Sequence, residues 1–114
     1  MIGYLSGPIT GNPDYKKQFA WSAKVLKRMG YEVINPAALS YALPIEELSY
    51  DTIMEIDMLL LSKADYLIQL PGWENSRGAN RELGYAQATD KLVVSLEDLL
   101  KEGRDRAYGP TRYF

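Results

Sequence analysis

Residues 2–13, IGYLSGPITGNP, join a short apolar run to a loop rich in glycine and proline. The run from Ile2 to Leu5 is typical of a buried strand, and Ser6-Gly7-Pro8 ends it. From Asp14 to Met29 the apolar residues recur at helical spacing, and Gly30 suits the C-terminal cap of that helix. A strand, a loop and a helix in this order are typical of the first unit of an α/β fold.

The same alternation continues along the chain. Further strands are predicted at Tyr31 to Ile34, Tyr66 to Leu70 and Leu92 to Val94, and further helices from Pro44 to about Ser62, from about Arg77 to Thr89 and from Leu96 to Lys101. The tail, residues 103–114, is predicted to be irregular. We therefore expect a single domain over residues 1–114: a doubly wound, flavodoxin- or Rossmann-like three-layer α/β sandwich with a parallel sheet of four to five strands. Ligands of such folds bind at the carboxyl ends of the strands, so loops 6–13, 35–43 and 71–76 should line one rim.

The composition excludes several kinds of chemistry. The 114 residues include no cysteine and no histidine, which excludes disulfides, thiol nucleophiles, thiolate metal sites and Ser-His-Asp catalysis. Catalysis would have to use carboxylates, hydroxyls, lysine, arginine or the backbone, and we expect neither a metal nor a cofactor. A formal net charge of −2 provides no basic face for duplex nucleic acid. The start of the chain does not resemble a signal peptide and the longest apolar run, Met58 to Leu61, is too short to span a bilayer, so we expect a soluble, cytoplasmic protein without a membrane partner.

Two acidic residues are candidates for catalysis because of their positions. Glu82 lies beside Ala79 and Ala86 on its predicted helix, and small neighbours leave space for a ligand, although a lone helical glutamate is usually solvated or paired with a nearby arginine. Asp57 lies within an apolar stripe, where a carboxylate is costly unless it is paired or hydrogen-bonded. Its helix runs away from the rim, so periodicity places Asp57 near the middle of the sheet. Asp65, just before the third strand, is predicted to cap or turn.

Other polar and aromatic residues allow two interpretations each. The loop from Ser6 to Pro13 lets backbone N–H groups approach an anion at a helix N-terminus, but it lacks the P-loop lysine and such loops are often only turns. Trp73 could stack on a base or cover the end of the sheet. Ser76 could cap its helix or donate a hydrogen bond to a phosphate. The side chain of Tyr4 could face the place in the sheet where the strand order reverses or, more commonly, the core.

Three motifs together resemble the nucleoside 2-deoxyribosyltransferase superfamily. They are Tyr4-Leu5-Ser6-Gly7-Pro8-Ile9-Thr10-Gly11, Ala64-Asp65, and the segment 76–86, SRGANRELGYA. The resemblance extends over most of the chain from Ile2 to Val94. It is closest to small phage and bacterial members that begin Tyr-x-Ser-Gly-Pro-x-Thr-Gly, and the superfamily includes the 2'-deoxynucleoside 5'-monophosphate N-glycosidases.

The resemblance implies an enzyme that cleaves or exchanges the N-glycosidic bond of 2'-deoxynucleoside 5'-monophosphates or 2'-deoxynucleosides. It implies that Glu82 attacks the anomeric carbon and forms a covalent deoxyribosyl-enzyme, that Tyr4 orients Glu82, and that Asp57 helps to protonate the leaving base. It also implies a homo-oligomer, a dimer or larger. The residues that we expect to bind the substrate are Ser6, Gly7, Thr10, Gly11, Trp73, Ser76, Arg77 and Gly78.

Ser76 bears on the class of substrate. Superfamily members that use nucleosides carry a carboxylate six residues before the nucleophile, whereas those that use nucleotides carry a serine, and Ser76 stands six before Glu82. The resemblance thus favours a 5'-monophosphate, with Arg77 in place of the first-loop arginine that is Thr10 here. No residue distinguishes hydrolysis from transfer.

Two classes of function stay open at this point. A non-catalytic nucleotide-binding module could use the same fold, although a binding module needs no nucleophile, so the presence of Glu82, Asp57 and Tyr4 together favours the enzyme. A phosphoacceptor receiver domain is excluded because Ser6-Gly7, and not a pair of acidic residues, follows the first strand.

Overall fold

The computed structural model describes the backbone of residues 1–108 and the side chains of residues 1–103. Four strands form one parallel sheet in the order β2-β1-β3-β4. The strands are β1 (Ile2–Ser6), β2 (Glu32–Ile34), β3 (Tyr66–Gln69) and β4 (Leu92–Ser95). Because β2 lies on one side of β1 and β3 on the other, the strand order reverses between β1 and β3, as expected of a doubly wound fold.

Helices cover both faces of the sheet. They are α1 (Tyr15–Arg28), α2 (Tyr50–Ser62), α3 (Arg77–Ala88) and α4 (Leu96–Tyr108). Side chains alternate along each strand, so Leu5 packs in one core with residues of α1 and α4, while Tyr4 packs in a second core with residues of α2 and α3. The three-layer α/β architecture predicted from the sequence is confirmed, with four strands. None of the helices described here is both long and apolar enough to cross a membrane.

The largest departure from the predicted elements is the start of α2. The sequence predicts a helix from Pro44, but Ile45–Glu47 form one 3₁₀ turn and Leu48 is extended. The helix begins only after Ser49, whose side chain accepts a hydrogen bond from the backbone N–H of Thr52. Pro44 and the two acids after it resemble a helix start, but they begin a single turn, and the serine cap sets the true start.

Two further predictions concern the last helix and Asp65. Helix α4 continues to Tyr108, so the prediction of an irregular tail is wrong for residues 103–108, while residues 109–114 lie outside the described part. Gly103 lies within α4 and does not end it, since a helical glycine costs only about 1 kcal/mol. Asp65, predicted to cap or turn, lies in the bend before β3 and accepts a 2.6 Å hydrogen bond from the backbone N–H of Ile2, which ties the start of β1 to the start of β3.

Candidate functional site

A cavity of about 130 Å³ opens at the carboxyl end of β1, beside the point where the strand order reverses. Its walls come from the loop after β1, from α1, from a 3₁₀ segment at Pro36–Tyr41, from α2 and from the first two turns of α3. The lining is mostly apolar, and its acidic residues are Asp57 and Glu82. Of the three loops expected at the rim, the third contributes only Ser76 to the lining.

Glu82 is held in place by two hydroxyl groups of β1. Tyr4 donates a short hydrogen bond to Oε2 of Glu82, and Ser6 Oγ donates one of 2.7 Å to Oε1. Tyr4 and Ser6 are two residues apart on a strand, so both point to the face of the sheet that α3 covers. Glu82, with 5% of its surface exposed, is oriented by these two bonds and lines the cavity.

Burial and hydrogen bonding act in opposite directions on Glu82. The pKa of Glu82 is raised from 4.5 to about 7 as the net result: burial raises it most, the hydroxyls of Tyr4 and Ser6 lower it, and the charge of Asp57 raises it. Burial is also the first cause that raises the pKa of Tyr4, followed by the charges of Glu82 and Asp57, so Tyr4 stays a protonated donor at neutral pH. A carboxyl group poised near neutrality beside fixed donors is suited to act as a nucleophile or a base.

Asp57 lines the same cavity with 6% of its surface exposed. It makes no hydrogen bond to any residue whose side chain is described, and burial raises its pKa from 3.8 to about 7. The placement of Asp57 away from the rim, expected from periodicity, is therefore wrong. The Cα–Cβ bonds of a helix tilt toward its N-terminus, so the side chain leans from the second turn of α2 back toward the cavity.

The other predicted site residues divide into two groups. Gly7, Thr10, Ser76 and Gly78 line the cavity, and Ser6 reaches it through its hydrogen bond to Glu82. The side chain of Ser76 also accepts a 3.1 Å hydrogen bond from the N–H of Ala79. Both interpretations of Ser76 are therefore compatible, because one hydroxyl caps α3 and faces the cavity.

Besides Tyr4 and Ser6, which reach the cavity through Glu82, three predicted residues do not line it: Gly11, Trp73 and Arg77. Gly11 has a φ of +79° and serves the turn before α1. Trp73 is half-buried in a 3₁₀ turn after Gly72, whose φ of +88° directs the chain away from the rim. The guanidinium of Arg77 lies over the ring of Tyr50. Gly7 also has a packing role, since a Cβ there would lie 2.9 Å from Cβ of Leu70.

Tyr50 is a residue of the site that the sequence did not predict. It lines the cavity, and its hydroxyl is buried with no hydrogen-bond partner among the described residues. The spacing Tyr50, Met54, Asp57 follows the i, i+4, i+7 pattern of one helix face, and all three line the cavity. That pattern could have placed Tyr50 beside Asp57 had the start of α2 been predicted correctly.

We expect the free energy of unfolding to fall as the pH rises from about 4.5 to about 7. The folded protein keeps protons on Glu82 and Asp57 up to a pKa of about 7, whereas the unfolded chain releases them near 4.5 and 3.8. The stabilisation is complete below the unfolded values and is lost as the pH passes through the folded ones. Urea unfolding between pH 4.5 and 8 measures this slope.

The matched variant for that measurement is Glu82→Gln, which keeps the shape of the side chain and removes one titrating group. The difference in unfolding free energy between wild type and Glu82→Gln should therefore change with pH in the direction given above. Parallel pH profiles for the two proteins would contradict the raised pKa of Glu82.

Comparison with known proteins adds a family and a solved structure. The model of a family described as Domain of unknown function (DUF4406) matches residues 1–95, a segment that contains Tyr4, Asp57 and Glu82. The solution structure of BlsM is similar, with 27% sequence identity and a TM-score of 0.63, and the match covers 96% of this chain and 70% of that chain. No curated protein matches the chain.

Proposed function

The chain belongs to the DUF4406 family of unknown function, and we propose that it cleaves or exchanges the N-glycosidic bond of 2'-deoxynucleoside 5'-monophosphates or 2'-deoxynucleosides. The observation that carries the proposal is the setting of Glu82: a carboxyl group buried at a mostly apolar cavity and oriented by the hydroxyls of Tyr4 and Ser6. A second carboxyl group, Asp57, lines the same cavity with a pKa near neutrality. Two carboxyl groups with different roles are the machinery of retaining glycosidases.

In the proposed reaction one oxygen of ionised Glu82 attacks C1' of the deoxyribosyl group. The C1'–N bond breaks, its electron pair goes to the base, and protonated Asp57 supplies the proton that the leaving nitrogen takes up. The product is a free base and a deoxyribosyl ester of Glu82. Water then attacks C1', gives its proton to Asp57 and releases Glu82; in base exchange the nitrogen of a second base takes the place of water.

The environment of Glu82 supports this sequence of steps. Tyr4 and Ser6 hold both carboxylate oxygens, so the attacking group is positioned before the substrate arrives, which lowers the entropic part of the barrier. Burial strengthens the attraction between the carboxylate and the positive charge that develops at C1'. The apolar side chains of Leu39, Ile45 and Ile53 line the cavity and are suited to the faces of a planar base.

Within this proposal we favour 5'-monophosphates over nucleosides. Ser76 caps α3 and faces the cavity, and the N-terminus of a helix favours a negatively charged group. A serine at this place adds a hydroxyl and no charge, so it does not repel a phosphate. Free nucleosides would lose only this interaction and would still reach Glu82.

Replacing Ser76 by aspartate should raise the KM for 5'-monophosphates by at least about tenfold, since like charges placed together cost several kcal/mol. Aspartate is as good a helix N-cap as serine, so the unfolding midpoint should be the same as that of wild type. Steady-state kinetics on a 5'-monophosphate and its nucleoside separate the effects, because the KM for the nucleoside should stay constant or fall. An equal rise for both substrates would contradict a phosphate beside Ser76.

Chromatography of the base released from a panel of 2'-deoxynucleosides and their 5'-monophosphates, with and without a second base, tests the function itself. Release of base from monophosphates supports the proposal as stated. Release from nucleosides alone would overturn the preference for 5'-monophosphates. Binding without turnover would assign the protein to the alternative class, a non-catalytic nucleotide-binding module. The homo-oligomer that the resemblance implies stays a prediction, which light scattering on the purified protein would test.

A further inference from the structure

Tyr50 carries a hydroxyl that has no hydrogen-bond partner among the described residues. Its Oη is almost completely shielded from solvent. Folded proteins pair nearly all such groups, and an exception calls for an explanation. Tyr50 is also one of the residues that line the cavity containing Glu82 and Asp57, so the unpaired hydroxyl belongs to a residue of the cavity wall.

The ring of Tyr50 is fixed by two arginines of α3. The guanidinium groups of Arg77 and Arg81 lie 4.7 Å and 5.4 Å from the centre of the ring, a geometry in which cations are attracted to the aromatic face. Arg81 also reaches Asp51, with 3.7 Å between Nη1 and Oδ1. These contacts place the ring of Tyr50, in the first turn of α2, beside α3.

The hydroxyl lies beside the first turn of α3. A Cβ built on Gly78 would be 3.8 Å from Oη of Tyr50 and 3.4 Å from Sδ of Met54. Since Gly78 has no side chain, the space between α2 and the first turn of α3 stays open. Asp57 lies seven residues after Tyr50 in α2, about 10 Å along the helix. Tyr50 and Asp57 are therefore at opposite ends of the face of α2 that lines the cavity.

We propose that Tyr50 is a specificity-determining residue whose hydroxyl donates a hydrogen bond to a phosphate oxygen at the 5' end of the substrate. The inference rests on the proposed function and adds a contact to it. With C1' at Glu82 and the base near Asp57, the 5' end lies toward Ser76 and Gly78, which is where the hydroxyl of Tyr50 is found. Arg77 and Arg81 on the ring favour an anionic partner, because their positive charge acts on the same region.

The variant Tyr50→Phe tests this contact. It keeps the ring and its arginine contacts and removes only the hydroxyl, so the ligand-free unfolding midpoint should stay the same or rise. The KM for 5'-monophosphates should rise roughly tenfold or more, as expected for the loss of a hydrogen bond to a charged group, while kcat changes little. The KM for the matching nucleosides should be unchanged. Tyr85→Phe, on α3 outside the cavity lining, is the control and should change none of these.

The outcomes separate this inference from the proposed function. Turnover by wild type with equal KM values for Tyr50→Phe would overturn the contact and leave the function in place. If wild type releases no base, the shift of its unfolding midpoint by the 5'-monophosphates still measures binding: a smaller shift for Tyr50→Phe supports the contact, and an equal shift overturns it. No turnover and no binding by wild type would overturn both.

Discussion

Replacing Glu82 by alanine should lower the rate of base release by roughly 10⁴-fold or more, as expected when a covalent nucleophile is removed. Alanine cannot form the deoxyribosyl ester, and no cysteine or histidine exists in the chain to take over. Tyr4 and Ser6 would keep their places on β1, but their hydroxyls would face an empty space. The measurement is chromatography of free base from the 5'-monophosphates that wild type turns over.

Two controls separate loss of chemistry from loss of fold. Glu82→Gln keeps the volume of the side chain and one acceptor oxygen, and its NH2 group can donate to the second hydroxyl, so it should bind substrate, shift the unfolding midpoint and remain inactive. Added formate, a carboxylate small enough for the space left by Glu82→Ala, should restore part of the activity to the alanine variant but none to the glutamine variant. More than a tenth of wild-type activity in folded Glu82→Ala would contradict the role of nucleophile.

The covalent intermediate offers a direct observation of the same step. Wild-type protein quenched with acid during turnover should gain the mass of one deoxyribosyl phosphate on the peptide that contains Glu82. Glu82→Gln treated in the same way should gain nothing. Substrate turnover with the mass found on another peptide would move the nucleophile elsewhere.

The layers of this fold could be predicted from the sequence because strand and helix periods differ so clearly. The run at Ile2 to Leu5 and the amphipathic segment after it need no tertiary information. The second helix was harder, since Pro44 and Ser49 both resemble helix starts and only the extended backbone at Leu48 shows which one begins α2. Because the predicted start is six residues too early, the sequence does not show which residues form the first turn of α2 or what they contact.

The candidate site was also predictable only in part. Glu82 stood out because Ala79 and Ala86 beside it are small, and all three are buried in the structure. The place of Asp57 depends on the tilt of a side chain toward the start of its helix, which a count of residues from the helix end does not include. The role of Tyr50 depends on a hydroxyl with no hydrogen-bond partner among the described residues, which the sequence alone does not reveal.

Replacing Asp57 by asparagine should lower base release by about 10²- to 10⁴-fold, the range for loss of a general acid. The residual rate comes from Glu82, which can still attack when the base leaves without a proton. Asp57 makes no hydrogen bond to a described side chain or backbone group and its pKa is raised by burial, so an uncharged asparagine should not weaken the fold at pH 8. Equal unfolding midpoints would show that the loss of rate is chemical.

The dependence of activity on pH should identify which carboxyl group is the nucleophile and which is the acid. Glu82 must be ionised and Asp57 protonated, and both have pKa values near 7. Activity of wild type should therefore fall on both sides of neutrality, with the two limbs belonging to the coupled pair. In Asp57→Asn the alkaline limb should disappear. The acid limb should move to lower pH, because the charge of Asp57 is one cause of the raised pKa of Glu82.

A substrate with a different leaving group gives the sharpest test of Asp57. A 2'-deoxyriboside that releases nitrophenolate needs no proton, since that anion is stable at neutral pH. Asp57→Asn should turn it over at nearly the wild-type rate, whereas Glu82→Gln should stay inactive. An equal loss of rate with both leaving groups would show that Asp57 positions the site and does not protonate the base.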